Sequence, residues 1–159
     1  MGIEIERKFL VVGDAWRAAP AVQYAQGYLN RDKLRTVRVR IVQDKAWLTV
    51  KGASQGATRA EFEYEIPLAD AQQLLALCDG PLVRKARRKV EHGGHVWEID
   101  EFEGDNAGLV VAEIELPSED AGFEAPPWLG AEVTHDARYF NSNLATAPFC
   151  TWPEARTQA

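Results

Sequence analysis

Residues 3–10 read Ile-Glu-Ile-Glu-Arg-Lys-Phe-Leu, so that apolar and charged side chains largely alternate along them. A period of two is typical of a β-strand whose two faces differ. Glu4, Glu6 and Lys8 share one face, where the two carboxylates repel each other unless a cation lies between them. The lysine on the same face can hold an anion. The stretch therefore predicts either an ordinary solvated strand face or a site for a metal next to a phosphate.

Seven further segments have the composition of strands, and short polar turns join most of them. These predicted strands cover residues 23–30, 36–42, 46–51, 59–66, 82–91, 95–102 and 109–116. Pro67 favours a helix over 68–79, and Asp136 predicts the N-cap of a last helix to about residue 145. This pattern predicts a mainly β protein (α+β) with an antiparallel sheet, and eight strands are enough to close a barrel.

The length of 159 residues predicts a single domain over 1–159 with a sizeable core. We expect the core to cover about residues 2–146 and a polar C-terminal tail to follow it. No apolar run approaches the ~20 residues of a membrane span, and no secretory signal precedes the first strand. Cys78 and Cys150 lack metal-site spacing and are typical of free thiols. Together these features predict a cytoplasmic protein without a membrane partner.

Charges of one sign recur on single faces of the predicted strands. The like-charged pairs are Glu4 with Glu6, Arg38 with Arg40, Glu61 with Glu63, Lys85 with Arg87, and Glu113 with Glu115. A solvated face gains nothing from such pairs, because like charges side by side are destabilising. We therefore predict that the charged faces line a tunnel and that the apolar faces point outward. The net charge of −6 argues against nucleic acid as the ligand of these bases.

The first strand resembles the ExExK signature of the CYTH superfamily, the triphosphate tunnel metalloenzymes, in Glu4-Ile5-Glu6-Arg7-Lys8. Further blocks of that family are similar, in order, to residues 36–40, 49–52, 59–67, 85–87, 97–102, 112–116 and 133–139. The resemblance covers about residues 2–146. It implies an eight-stranded antiparallel β-barrel around a tunnel that binds triphosphate with divalent metal. It is closest to the short bacterial members, many of which hydrolyse inorganic tripolyphosphate.

By position in those blocks, the resemblance implies roles for individual residues. The metal-binding carboxylates would be Glu4, Glu6, Glu113 and Glu115, with Asp100 as a further candidate. The phosphate-binding residues would be Lys8, Arg38, Arg40, Lys51, Lys85 and Arg87. Arg59 either joins them or forms an ion pair with a neighbouring glutamate. Glu61 and Glu63 would hold the bases in place or bind metal. The catalytic candidates are Lys8 and Tyr28, the latter as a proton acceptor or, alternatively, as an aromatic packed in the barrel wall.

Carboxylate oxygens suit Mg²⁺ or Mn²⁺, and an arginine can hold phosphate oxygens by two hydrogen bonds. We therefore expect metal-assisted attack of water on a terminal phosphoryl group of tripolyphosphate. A tyrosine with a pKa of about 10 is a poor base at neutral pH unless cations lie close to it.

Other readings stay open at this point. The alternatives are a class IV adenylyl cyclase, a nucleoside or thiamine triphosphatase and, in another class, a non-catalytic polyphosphate binder. A nucleoside triphosphate is thus an alternative substrate, and homodimer formation stays open. The segment 136–139 is expected to cap and anchor the final helix, and reaching the tunnel mouth is an alternative for Arg138.

Overall fold

The computed structural model describes residues 2–156, in which eight strands close into an antiparallel barrel. The strands are β1 Ile3–Val11, β2 Ala21–Asn30, β3 Arg35–Val42, β4 Lys45–Gly52, β5 Thr58–Ile66, β6 Val83–His92, β7 His95–Phe102 and β8 Val110–Glu115. Around the ring their order is β1-β5-β4-β3-β2-β6-β7-β8, and β8 returns to β1. The predicted eight-stranded antiparallel barrel is confirmed.

Strand β1 has partners on both edges. Its residues 3–5 pair with residues 58–60 of β5, and this short pairing closes the ring. On the other edge its residues 6–10 pair with residues 111–115 of β8. A ninth strand, β9 Leu129–Glu132, pairs with the end of β1. The alternating stretch that opens the sequence therefore forms a central part of the wall, where one face must point into the barrel.

One helix covers the barrel, and the remaining helical segments are short. Helix α1 Leu68–Ala76 packs on β2, β3 and β4, and it ends three residues before the predicted end at 79. The others are α2 Asn141–Leu144 and α3 Pro153–Arg156, with 3-10 turns at Ala15–Ala18, Gly104–Asn106, Ala137–Tyr139 and Phe149–Thr151. No helix in residues 2–156 combines the length and the apolar character that a membrane crossing requires.

The last helix predicted from Asp136 is wrong as a single element. A 3-10 turn and α2 replace it, because Phe140 between them has an extended backbone with φ −67° and ψ 132°. Asp136 does cap the first of these turns, since its side chain accepts a hydrogen bond from the Arg138 backbone N–H. The break turns the ring of Phe140 toward the barrel, where Lys8 Nζ lies 5.7 Å from the ring centre.

The predicted polar tail is wrong for residues 147–156. Phe149 and Trp152 are buried there, with their ring centres 5.3 Å apart in an edge-to-face arrangement. Trp152 contacts Tyr139 in the same way at 5.1 Å. These aromatic side chains bury enough apolar surface to hold the end of the chain on the barrel. Residues 157–159 of the predicted tail lie outside the described residues.

The apolar core lies outside the ring of strands, between the wall and the segments that cover it. On one side Trp97 is fully buried, with its ring edge to face against Phe123 and Trp128 at centre distances of 5.3 and 5.5 Å. On another side Val39 and Ala46 are fully buried beneath α1. The apolar faces of the strands therefore point outward, as the segregation of charges predicts.

Gly27 tests how tightly the barrel wall is packed. A Cβ atom at this β2 position would lie 2.8 Å from Leu82 and 2.9 Å from Cys78. We expect Gly27→Ala to destabilise the protein by about 1–3 kcal/mol, because overpacked sites displace their neighbours. Gly122→Ala is the matched control: its Cβ would meet nothing within 4 Å, and the change should stay below ~0.5 kcal/mol. Equal unfolding free energies for the two variants in urea titrations would contradict this prediction.

Candidate active site

The barrel encloses a cavity of about 440 Å³ that is lined mainly by charged side chains. Strand alternation turns every second residue of each strand toward it. The predicted site residues that line the cavity are Glu4, Glu6, Lys8, Tyr28, Arg38, Arg40, Lys51, Arg59, Glu61, Glu63, Lys85, Arg87, Glu113 and Glu115. Asp100 is the predicted site residue that does not line it. The fold thus brings residues that are far apart in the sequence into one enclosed space.

The charges are divided between two sides of the cavity. Arg38 and Arg40 lie on β3, and Lys85 and Arg87 lie on β6; these four residues form the basic wall. The acidic wall lies on the adjacent strands β8, β1 and β5 and consists of Glu4, Glu6, Glu61, Glu63, Glu113 and Glu115. Strand β2, at the centre of the basic wall, lies halfway around the ring from β1, so the two walls face each other.

Asp100 anchors the basic wall from behind. It is fully buried on β7, and its two carboxylate oxygens accept hydrogen bonds from Lys85 Nζ and Arg87 Nε, each at 2.7 Å. Burial disfavours the ionised carboxyl, but the charges of Arg87 and Lys85 hold the pKa of Asp100 below its usual value. Since both oxygens are engaged and the side chain does not line the cavity, this position favours an anchoring role over the predicted role as a metal ligand.

The basic wall is suited to hold an anion. Burial lowers the pKa of Lys85 to about 7, in spite of its ion pair with Asp100. Burial lowers the pKa of Arg40 to about 10, and the nearby charges of Arg38 and Arg87 add to this shift. An anion between these side chains would favour their charged forms, because it would offset both the burial and the mutual repulsion.

Two lysines lie among the carboxylates of the acidic wall. Lys51 Nζ lies 3.0 Å from a Glu4 oxygen and 3.3 Å from a Glu61 oxygen. Lys8 Nζ lies 3.4 Å from Glu113. Burial works to raise the pKa of Glu113, but the charge of Lys8 helps to hold that pKa well below its usual value. These ion pairs keep part of the acidic wall ionised.

Neutralisation is incomplete for three carboxylates of this wall, including Glu4 in spite of its ion pair with Lys51. Burial raises the pKa of Glu6 well above its usual value, and the negative charges of Glu113 and Glu4 add to the shift. Burial also raises the pKa of Glu4 and of Glu115. A cation beside these groups would stabilise their ionised forms. Hard carboxylate oxygens in such a cluster fit Mg²⁺ or Mn²⁺.

The acidic wall by itself does not form a complete metal site. Within residues 2–156, no three carboxylate, imidazole or thiol side chains converge as a ready-made set of ligands. Mg²⁺ usually keeps several waters and takes one or two carboxylates together with phosphate oxygens of the substrate. The acidic wall fits an ion held in this partial way, with Glu4, Glu6, Glu113 and Glu115 as the candidate ligands.

Arg59 is held by neutral groups, whereas Arg38 lies beside a neutral group and a carboxylate. Within residues 2–156, Arg59 donates to the Gly52 carbonyl at 3.2 Å and to the Thr36 hydroxyl at 3.4 Å, in place of the ion pair that was one predicted alternative. Arg38 donates to the Thr49 hydroxyl at 3.2 Å and lies 3.8 Å from a Glu63 oxygen. Arg59 therefore keeps its charge available to a ligand in the cavity, and Glu63 partly offsets the charge of Arg38.

Tyr28 lines the cavity and is also part of the packed wall. Only 5% of the residue is exposed, and it shares the lining of the cavity with Lys8 and Arg40. Tyr28 is therefore packed in the wall and also faces the cavity. This position is compatible with both predicted alternatives, the aromatic in the wall and the proton acceptor.

Sequence reasoning missed several residues of the cavity. The ring of Tyr24 lies between two bases of the basic wall, with the guanidinium carbons of Arg40 and Arg87 at 5.0 and 4.8 Å from its centre. Alternation along β2 and β6 could have identified Tyr24 and Lys89, which share the inner faces of the predicted residues. Residues 140–142 also line the cavity, and no periodicity in the sequence signals that contact.

Arg138 does not belong to the site. It pairs with Asp136 at 3.0 Å and Glu154 at 3.1 Å, and its guanidinium carbon lies 4.9 Å from the ring centre of Trp152. These contacts hold it on the outer surface of the C-terminal turns. The alternative in which Arg138 reaches the tunnel mouth is therefore wrong.

Comparisons with known proteins agree with this geometry. An inorganic triphosphatase from Acetivibrio thermocellus is 53% identical over 156 residues, which cover 97% of this chain and 100% of that protein. An inorganic triphosphatase from Nitrosomonas europaea is 37% identical over 147 residues, covering 89% of this chain and 96% of that protein.

Solved structures and a family model give the same picture. The crystal structure of the inorganic triphosphatase NE1496 superimposes with a TM-score of 0.64 at 36% identity, covering 89% of this chain and 93% of that one. A model of the CYTH domain matches residues 2–146. The chain therefore belongs to the CYTH domain family.

Proposed function

We propose that this protein hydrolyses inorganic tripolyphosphate to pyrophosphate and phosphate, with Mg²⁺ or Mn²⁺ as cofactor. The observation that carries the proposal is the pair of opposed walls in one enclosed cavity, bases on one side and carboxylates on the other. A simple anion-binding site has no use for six carboxylates facing its bases. A polyanion that arrives with divalent metal satisfies both walls. The names of the relatives, inorganic triphosphatases at 53% and 37% identity, support the same substrate.

In this proposal the basic wall binds the phosphate chain. Arginine forks on β3 and β6 can hold phosphate oxygens by paired hydrogen bonds, and Lys85 adds a point charge between them. Asp100 fixes Lys85 and Arg87 in place, so little reorganisation is needed when charge develops on the transferring phosphoryl group. A bound Mg²⁺ or Mn²⁺ would neutralise charge on the phosphates and orient them.

We propose that Tyr28 and Lys8 act on the attacking water. Both line the cavity, and Lys8 Nζ lies 3.4 Å from Glu113 of the acidic wall. The Tyr28 phenolate would accept a proton from the water and become the neutral phenol, and the Lys8 ammonium in the same cavity would stabilise the phenolate before the transfer. Enclosure by the barrel limits bulk water, which strengthens these interactions.

We further propose a single domain and a cytoplasmic location for the protein. Cys78 and Cys150 are free thiols in the structure, which suits a reducing compartment. The first experiment below distinguishes tripolyphosphate from a nucleoside triphosphate as the preferred substrate of the purified protein.

The first prediction concerns substrate and metal. We expect purified protein to release phosphate rapidly from tripolyphosphate with Mg²⁺ or Mn²⁺, and much more slowly from ATP and pyrophosphate. Glu6→Gln should lower the rate by about 100-fold or more, because a ligand worth several kcal/mol of charge stabilisation is lost. Glu65→Gln is the matched control, since Glu65 lies on β5 near the acidic wall but is exposed and does not line the cavity; it should keep the wild-type rate.

Other outcomes of this assay would replace the proposal. Cyclic AMP formation from ATP without phosphate release from tripolyphosphate would assign the protein to the cyclases. Tight binding of tripolyphosphate without turnover would show that the protein is a non-catalytic polyphosphate binder.

The second prediction concerns the proton acceptor. With tripolyphosphate as substrate, kcat should rise as the pH is raised, because a general base acts in its unprotonated form. Tyr28→Phe should abolish that rise, because the ring still packs but has no hydroxyl. An unchanged pH–rate profile in the variant would exclude Tyr28 as the base.

The third prediction concerns Asp100. Asp100→Asn should destabilise the metal-free protein by about 3–5 kcal/mol, because it removes the ion-pair partner of buried Lys85 and one of the three carboxylates that pair with Arg87. Since the folded-state pKa of Asp100 is depressed, its contribution to stability is present above the ordinary carboxyl pKa and is lost as the pH falls below it. The difference in unfolding free energy between wild type and variant should therefore shrink on acidification. A metal-free variant as stable as wild type would contradict the anchoring role.

A further inference from the structure

Two side-chain amides link the bases of the basic wall to the C-terminal turn. Arg40 Nε donates to Gln26 Oε1 at 2.8 Å, and Gln26 Nε2 donates to Asn141 Oδ1 at 3.1 Å. Lys85 Nζ donates to the same Asn141 oxygen at 3.0 Å. Gln26 is fully buried and does not line the cavity, whereas Asn141 lines it. The chain of hydrogen bonds thus runs from one base to the other through a residue of α2.

The chemistry of the two bases fixes the orientation of both amides. The charged forms of lysine and arginine carry N–H donors and no hydrogen-bond acceptor. The atom of Asn141 that faces Lys85 must therefore be its oxygen, and the atom of Gln26 that faces Arg40 must also be its oxygen. With those two oxygens assigned, the remaining contact between the amides is a donation from Gln26 to Asn141, as the structure has it. Each assignment supports the other.

This orientation leaves the amide NH₂ of Asn141 unused by the protein. Its oxygen already accepts two hydrogen bonds. Within residues 2–156, Asn141 Nδ2 donates to no protein group, although the side chain borders the cavity. Asn143 in the same short helix is a useful contrast, because its Nδ2 donates to the Ala137 carbonyl at 2.7 Å. A donor that is oriented in advance and left open toward a charged cavity is suited to an acceptor on a ligand.

We propose that Asn141 is a substrate-binding residue whose Nδ2 amide donates a hydrogen bond to a phosphate oxygen of the chain held by Lys85 and Arg40. The inference rests on the proposed function, since it takes an inorganic polyphosphate as the ligand. A neutral amide adds a directed contact without adding charge to a wall that is already crowded with cations. It also recognises phosphate oxygen in any protonation state, because every such oxygen accepts hydrogen bonds.

The surroundings of Asn141 keep the donor in place. The extended backbone of Phe140 delivers it to the cavity, and its neighbours Ser142 and Leu144 are buried. The two hydrogen bonds to its oxygen restrict the side chain to one rotamer. Little conformational entropy is therefore lost when the amide meets a ligand.

Three variants separate substrate binding from structural support. Asn141→Asp keeps an oxygen for Lys85 and Gln26 but replaces the donor by a carboxylate. Asn141→Ala removes both functions. Gln26→Met is a neutral, volume-matched change that breaks the chain of hydrogen bonds and leaves the Asn141 donor in place. The measurement is the Kd for tripolyphosphate by calorimetric titration of metal-free protein, with thermal unfolding to verify that each variant folds.

We expect Kd to increase in the order wild type, Gln26→Met, Asn141→Ala, Asn141→Asp. The alanine variant should bind about 10- to 100-fold more weakly than wild type, the range for a lost hydrogen bond to a charged group, and the aspartate variant more weakly still. Binding by Asn141→Asp that is closer to wild type than binding by Asn141→Ala would overturn the proposal in favour of pure support. A Gln26→Met loss equal to that of Asn141→Ala would overturn it as well. If Gln26→Met does not fold, the order of the two Asn141 variants decides.

The result of these titrations and the result of the hydrolysis assay can contradict their two proposals separately. A wild-type protein that binds tripolyphosphate without hydrolysing it would contradict the proposed hydrolase activity. The titrations would still measure the contribution of the amide contact to binding. A protein that hydrolyses tripolyphosphate and loses no affinity in Asn141→Asp would remove the present inference alone.

Discussion

Charge neutralisation inside a closed barrel is the constraint on which this structure depends. A barrel of eight strands turns half of each strand inward, and here many of the inward side chains are ionisable. Buried charges of one sign are costly unless an opposite charge lies within a few ångströms. The protein meets this requirement with Asp100 behind the basic wall and with two lysines among the carboxylates. The neutralisation is partial, and the charges that remain unneutralised can bind ligands of opposite charge.

Alternation along the strands made most of the site predictable. It places Glu4 and Glu6 on one face, and Lys85 and Arg87 on another, whichever tertiary structure the strands adopt. The repetition of like-charged pairs then showed that these faces point inward. The family resemblance made Asp100 a further candidate metal ligand, and neither resemblance nor alternation reports depth: Asp100 is fully buried and does not line the cavity. Its depth depends on the two bases that cover it, a contact that arises only in the folded barrel.

The C-terminal region shows where local patterns fail. Phe149 and Trp152 stand among polar and small residues, and a four-residue strand or helix has too few positions to show a period. Their burial results from packing against Tyr139. Asn141 reaches the cavity because the backbone is extended at Phe140, and nothing in the local sequence requires that break. Contacts of this kind are set by the surface that the barrel offers.

The pairing of β1 has a consequence for how the protein is made. Residues 3–11 pair with residues 58–60, 111–115 and 129–132, so β1 cannot complete its pairing until the chain has been made to about residue 132. Pairings across such long separations slow folding, because the entropy lost on closing a large loop precedes the formation of the contacts that stabilise it. The acidic wall combines β1 with β5 and β8, and α2 follows later still. A growing chain therefore lacks a polyanion-binding cavity, and it acquires one only when nearly the whole sequence is available to fold.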